Sequence, residues 1–394
     1  MDFSKLNDYL DRVVNEYDVP GVDCIVYKGH EMIYRYYTGM SDRENSKPMN
    51  GNEIYMIFSM TKMLTCVSAL QLMEKGRFLL SDPVSKYLPE YEKMRITSDN
   101  LNNDNAAAIT SGSTKGESIG ATADGYAENQ ITIKDLFTMG AGLDYDLQAK
   151  GIKEALARGK TSTRDLVGAI AETVLGFEPG TRYRYSLCHD VLGALIEVWS
   201  GQKLGDYMSE NIFKPLGMND TFFGIPKDEE RLSRMAALYR CDEDRKAQQT
   251  QLACPYNLSD KYESGGAGLA SCTADYAVFI DALANGGVGK NGYRLLSSAS
   301  VELMAENHLN PQQYEDFQTL RKGYGYGLGV RTHMDRSISG SLSPVGEFGW
   351  DGAAGAFAMV DPKNQLSISY FQHVHNWDIR VHYELRNIVY SCIE

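Results

Sequence analysis

Apolar residues at Phe3, Leu6, Leu10, Val13 and Tyr17 recur every three or four positions, so the chain is predicted to begin with an amphipathic helix. The stretch from Val22 to Gly39 alternates and is rich in aromatic and β-branched residues. Its break at Lys28-Gly29 makes it read as a β-hairpin. The other end mirrors this: residues 355–362 and 364–374 are strand-like runs around the turn Asp361-Pro362-Lys363-Asn364, and residues 379–393 return to helical spacing. Between these ends the texture is helical, with segments predicted to start at Ser59, Thr132, Thr163 and Ser186, several of them closing on glycine. Both termini are therefore expected to share one α/β layer, with a largely helical region inserted between them. Residues 95–130 are poor in large apolar side chains and rich in Asn, Ser, Gly and Ala. They read as a long loop or a partly mobile lid.

Composition narrows the function. A chain of 394 residues with 43% apolar content can fill one large domain or two intimately packed ones. A net charge of −13 and the lack of any Lys/Arg block argue against a nucleic-acid or anionic-membrane partner. No apolar run reaches the roughly 18 to 20 residues of a membrane helix, and the first residues lack the apolar core of a signal peptide, so a cytoplasmic location is expected. The seven cysteines are odd in number and never spaced C-x-x-C, which predicts reduced thiols. His373 and His375 form the one close histidine pair, but the neighbouring sequence offers no further ligands. No metal and, without a dinucleotide fingerprint, no cofactor is expected.

Ser59-Met60-Thr61-Lys62 opens a helical segment directly after the apolar run Ile54–Phe58. Residues three apart share a helix face, so the Lys62 amine can reach the Ser59 hydroxyl at the end of the helix where free N–H groups gather. Serine needs such a neighbour, because at its own pKa it is a weak nucleophile. The pattern alone is weak: Ser200-Gly201-Gln202-Lys203 matches it as well, but at the wrong end of a helix and across a glycine. A helix-capping serine is the plain alternative for Ser59. Two further elements in order change the weighing: Tyr185-Ser186-Leu187, leading into a long helix, and Trp350-Asp351-Gly352-Ala353, heading a strand. Taken singly, Tyr185 and Trp350 would be core aromatics. His189 reads as structural.

With these three elements the chain resembles the serine β-lactamase and penicillin-binding superfamily, specifically its class C-like branch and the related family eight carboxylesterases. Leu80–Val84 with Tyr87–Pro89, Ile131–Phe137 through Gly142-Leu143, Pro215–Met218 and Gly265–Leu269 extend the resemblance over most of the chain. It implies an α/β fold of the α+β type, with an antiparallel sheet flanked by the N- and C-terminal helices. Residues 1–58 and 262–394 would form the sheet domain, residues 59–261 the mostly helical insertion, with the active site at their junction. It also implies roles. Ser59 would attack the carbonyl, Lys62 would assist its deprotonation, and Tyr185 would relay the proton. The amides of Ser59 and Ala353 would hold the oxyanion, and Leu187, Trp350, Asp351 and Gly352 would bind substrate.

The chain departs from the class C pattern at Leu187, where an Asn is usual, and at Trp350, where a Lys is usual. Apolar side chains cannot pair a substrate carboxylate. The departures favour small neutral acyl esters over a β-lactam or a D-Ala-D-Ala peptide, unless another cation, Arg331 or Lys322, holds the anion. A catalytically idle binding module is disfavoured by the complete triad.

Overall fold

The computed structural model describes residues 1–97 and 123–393. The first amphipathic pattern forms helix α1 (Ser4–Glu16), with Leu6, Leu10 and Val13 buried. The predicted hairpin follows as β1 (Gly21–Lys28) and β2 (Glu31–Asp42). They are joined through Gly29, whose φ of 56° suits the left-handed turn, and short β3 (Lys47–Pro48) adds to the edge. Then come α2 (Thr61–Glu74), α3 (Cys188–Ser200) and α4 (Thr273–Ala284). The chain returns to the sheet as β4 (Tyr324–Tyr326), β5 (Arg331–His333), β6 (Phe348–Asp351), β7 (Phe357–Asp361) and β8 (Leu366–Phe371), and finishes in α5 (Arg380–Cys392).

The eight strands form one sheet in the order β4-β5-β6-β7-β8-β1-β2-β3, with the first and last parts of the chain meeting at the antiparallel β8·β1 pair. Two-residue alternation gives β1 and β4 to β8 two buried faces, while β2 and β3 at the edge are largely half-buried or exposed. Phe357, Met359, Ile368 and Tyr370 pack under α1 and α5 with Leu10, Val381 and Leu385. Ala358, Val360, Phe348 and Trp350 point the other way, into the larger core with α2, α3 and α4. The mixed α/β architecture with its large antiparallel sheet is the expected fold class.

Several local expectations change. The helix predicted from Thr163 stops at Ile170, and Val174-Leu175 becomes a strand beside Arg95-Ile96. The helix after Thr132 is only Ile133–Phe137, held by a reciprocal Thr132–Asp135 capping box. Within the loop expected over residues 95–130, Arg95-Ile96 pairs with Gly125-Tyr126, and residues 98–122 lie outside the described residues. All seven cysteines are buried and unbridged. Among the described residues no helix is long and apolar enough to cross a membrane.

The sheet carries a buried ion cluster on its α5 side. Arg331 donates to Asp351 at 3.1 Å and to Glu347 at 3.2 Å, Arg321 bonds Asp351, and Arg386 lies 3.3 Å from Glu347. Burial by itself would raise the Asp351 carboxyl, but Arg321 and Arg331 outweigh it and hold it well below the ordinary carboxylate range. The stabilisation from this shift is complete above about pH 4 and drains away as pH falls toward the folded value. Asp351→Asn is expected to cost about 3 to 5 kcal/mol, because it leaves buried guanidinium groups short of counter-charge. Guanidinium-chloride unfolding at pH 7 measures the loss.

Candidate active site

The approach to Ser59 is a strained turn. Tyr55-Met56 pairs with Leu269–Ser271, and the Ile57 amide donates to the Leu269 carbonyl at 3.0 Å, which fixes the chain up to that point. Phe58 then adopts φ 45°, a left-handed conformation unfavourable for a bulky aromatic. Its ring is held among Tyr256, His375 and Ala353. Ser59 follows within a 3-10 turn, Phe58–Met60, that runs into α2. Thr61 Oγ1 accepts from the Leu269 amide at 3.1 Å, and the Tyr276 hydroxyl donates to the Met60 carbonyl at 2.8 Å, so the turn is pinned on both sides.

Lys62 is 0% exposed. Its Nζ donates to the Gly266 carbonyl at 2.7 Å and lies 3.3 Å from both Ser59 Oγ and the Tyr145 hydroxyl. It also sits 4.6 Å from the centre of the Tyr185 ring. Burial lowers its pKa to about 7, against the opposing pull of the Asp190 carboxylate. A substantial fraction of the amine is thus neutral near pH 7 and able to accept a proton. The Tyr185 hydroxyl is hydrogen-bonded with Ser59 and accepts from Trp350 Nε1 at 3.3 Å. Burial pushes the phenol upward, so it stays protonated and can pass a proton on without itself becoming a free anion.

The third motif reaches the same place from the sheet. Trp350 stacks on Tyr185 with ring centres 5.7 Å apart, while a Cβ at Gly352 would stand 2.6 Å from the Ile57 carbonyl, so only glycine lets the end of β6 close on the turn that carries Ser59. Among the described residues, no carbonyl accepts from the amide of Ser59 or of Ala353. Asp351 differs from the expectation. Alternation turns it away from Trp350, and both its carboxylate oxygens are engaged by Arg321 and Arg331, so its side chain supports the strand instead of facing substrate. Arg331, weighed as an anion-binding cation, belongs to that same cluster. Lys322 is exposed. Leu187 is buried in the main core at the start of α3, its amide tied to the Asp144 carbonyl at 3.0 Å.

Tyr145 and Tyr256 are additions that the sequence did not single out. Tyr145 stacks on Tyr185 at 5.7 Å and meets Tyr256 edge-on at 5.8 Å, extending an aromatic wall to Phe58. The signal available for Tyr145 was its place two residues after Gly142-Leu143. Nothing local marks it as facing Lys62. The second S-x-x-K match lies at the C-terminal end of α3, where Ser200 Oγ donates back to the Ile196 carbonyl at 2.6 Å. His189 is buried and neutral, held low by burial and by Lys62, with Nε2 3.4 Å from the Phe137 carbonyl. His373 and His375 each bond a backbone carbonyl, of Ala236 and Ala353.

The chain is 29% identical over 363 residues to Protein Rv1367c of Mycobacterium tuberculosis, covering 90% of this chain and 86% of that protein. It is 26% identical over 388 residues to Esterase EstB of Burkholderia gladioli, covering 93% and 88%. The solved structure of EstCE1, a hydrolase with promiscuous acyltransferase activity, superposes with a TM-score of 0.79 at 22% identity, covering 98% of this chain and 97% of that one. The Beta-lactamase family model matches residues 6–388, and the chain accordingly belongs to the β-lactamase family, as a serine hydrolase of the β-lactamase/transpeptidase fold.

Proposed function

We propose that the protein hydrolyses small neutral acyl esters through an acyl-enzyme on Ser59. The observation that carries this reading is Trp350. Its indole stacks on Tyr185 and donates to the phenol, occupying with an apolar ring the place from which a family lysine would offer charge to a substrate carboxylate. The arginines behind β6 are already committed to Asp351 and Glu347. An ester needs no such cation, and the similarity to an esterase supports the same choice.

The chemistry runs in two halves. Ser59 Oγ attacks the ester carbonyl carbon, and its proton passes to neutral Lys62. The oxyanion is held by the amides of Ser59 and Ala353, donors worth on the order of 3 kcal/mol each in a preorganised site. Collapse breaks the bond to the alkoxy oxygen. That oxygen leaves as an alcohol with a proton delivered through Tyr185, and the acyl group stays on Ser59. Water then attacks the acyl carbon, gives its proton back along Tyr185 and Lys62, and releases the carboxylic acid with Ser59 restored.

A fluorophosphonate probe is expected to label one site, on the peptide containing Ser59, as read by mass spectrometry. Labelling at Ser200, or none, removes the assignment. Lys62→Ala and Tyr185→Phe are each expected to lower kcat by about 10² or more, with the double variant little worse than either, since the two groups act on one proton. Turnover like the unmodified enzyme's in Tyr185→Phe takes the tyrosine out of the mechanism. For selectivity, kcat/KM for p-nitrophenyl butyrate is expected to exceed that for a chromogenic cephalosporin by about 10² to 10⁴, the equivalent of one or two missing charge-assisted contacts. Equal rates on the two substrates, or faster release of D-Ala from D-Ala-D-Ala peptides, would move the reading to a β-lactamase or a carboxypeptidase.

A further inference from the structure

A second ionisable group shares the interior with Lys62. Asp190, in the first turn of α3, is 1% exposed. Its Oδ1 accepts from the Tyr262 hydroxyl at 2.8 Å and from Ser264 Oγ at 2.6 Å. Ser264 Oγ in turn accepts from the Ala267 amide at 3.0 Å, closing a turn over residues 264–267. Gly266 lies against the other carboxylate oxygen: a Cβ there would be 2.5 Å from Asp190 Oδ2 and 3.3 Å from the Tyr145 hydroxyl. The carbonyl of this same glycine receives the Lys62 amine at 2.7 Å.

One glycine residue is thus held between a buried carboxylate and a buried amine. The spacing has a chemical consequence. A carboxylate in direct contact would keep the proton on Lys62 and make it useless as an acceptor. With no carboxylate nearby, an ammonium formed in this dry site would be severely destabilised. We propose that Asp190 is the positioning residue for Lys62, fixing the Gly266 carbonyl on the amine and supplying the counter-charge when Lys62 takes the Ser59 proton. This rests on the proton-acceptor role of Lys62 in the proposed function.

The remaining groups facing the pair do not titrate near neutrality. On α2, burial pushes the Cys66 thiol up. At the start of α3 burial pushes Tyr185 and Cys188 up and His189 down. Burial also raises Tyr145, Tyr256 and Tyr262. Asp351, which acts on Tyr185 from the sheet, stays ionised against its arginines. That leaves Lys62 itself and Asp190, which burial raises and the Ser264 hydroxyl lowers.

The test is the pH dependence, from about pH 5 to about pH 9, of the rate at which a fluorophosphonate labels Ser59, alongside kcat/KM for p-nitrophenyl butyrate. In the unmodified protein the rate is expected to rise with deprotonation of Lys62, with a midpoint near 7. Asp190→Asn keeps an acceptor for both hydroxyls and removes only the charge. Since a carboxylate favours the ammonium, its loss lets Lys62 shed its proton earlier, and the midpoint is expected to fall by about one pH unit. The plateau rate is expected to fall about tenfold as the newly formed ammonium loses its support. Ser264→Ala, which weakens the hold on the anion, is expected to shift the midpoint the same way by less, and it carries the test if Asp190→Asn does not fold. Unmoved midpoints in the folded variants overturn the role of Asp190. Absence of labelling at Ser59 in the unmodified chain overturns the catalytic assignment instead.

Discussion

An amine sealed from water has to lose either its proton or its isolation, and the interior around Lys62 is arranged around that choice. Its Nζ finds a carbonyl, a serine hydroxyl and a tyrosine hydroxyl within 3.3 Å, with a second tyrosine ring beneath it. These groups solvate the amine without fixing a proton on it, and burial brings its pKa to about 7. An exposed lysine in the same sequence pattern would remain an ammonium and could not accept a proton from serine. The stacked tyrosines and Trp350 exclude water while offering hydroxyls and an indole N–H at the points where polar contact is needed.

Holding that interior together requires backbone geometry that the chain would not adopt spontaneously. Phe58 sits at positive φ so that Ser59 can project from the start of α2, and Gly352 lets β6 approach the Ile57 carbonyl. The support lies on both faces of one strand. Trp350 meets Tyr185 on the inner side, and Asp351 is anchored by Arg321 and Arg331 on the α5 side. Two adjacent residues of the same motif therefore do different work, one at the site and one behind it. Strain at the Phe58-Ser59 turn is tolerated because the strands and the ion cluster around it over-determine its position.

The same arrangement sets the polarity around the third motif. The charged groups nearest the third motif are neutralised behind the sheet, while the inner side presents aromatic surface. Burial favours the neutral forms of Lys62 and Tyr185, and fixed dipoles act most strongly on charge that develops in so dry a place.

The sequence by itself determined the end elements, because periodic burial writes itself into residue order: α1 and the β1–β2 hairpin follow their apolar pattern nearly residue for residue. It also made the contact between Ser59 and Lys62 legible, since the reach from one to the other is a local property of one helical turn. The helix predicted from Thr163 ran too long because local propensity could not anticipate the strand partner that captures Val174-Leu175. Tyr145, Asp190 and Gly266 were illegible as site residues for the same reason. They lie 83, 128 and 204 positions from Lys62, and nothing local in their neighbourhoods says that packing will gather them there. Asp351 shows the limit most sharply. Motif adjacency put it beside Trp350, but the two-residue alternation of the strand and the arginines of β5 and residue 321 decided that its carboxylate faces away from the site. Which groups share a dry interior is a property of the folded sheet and helices, and only the tertiary structure sets it.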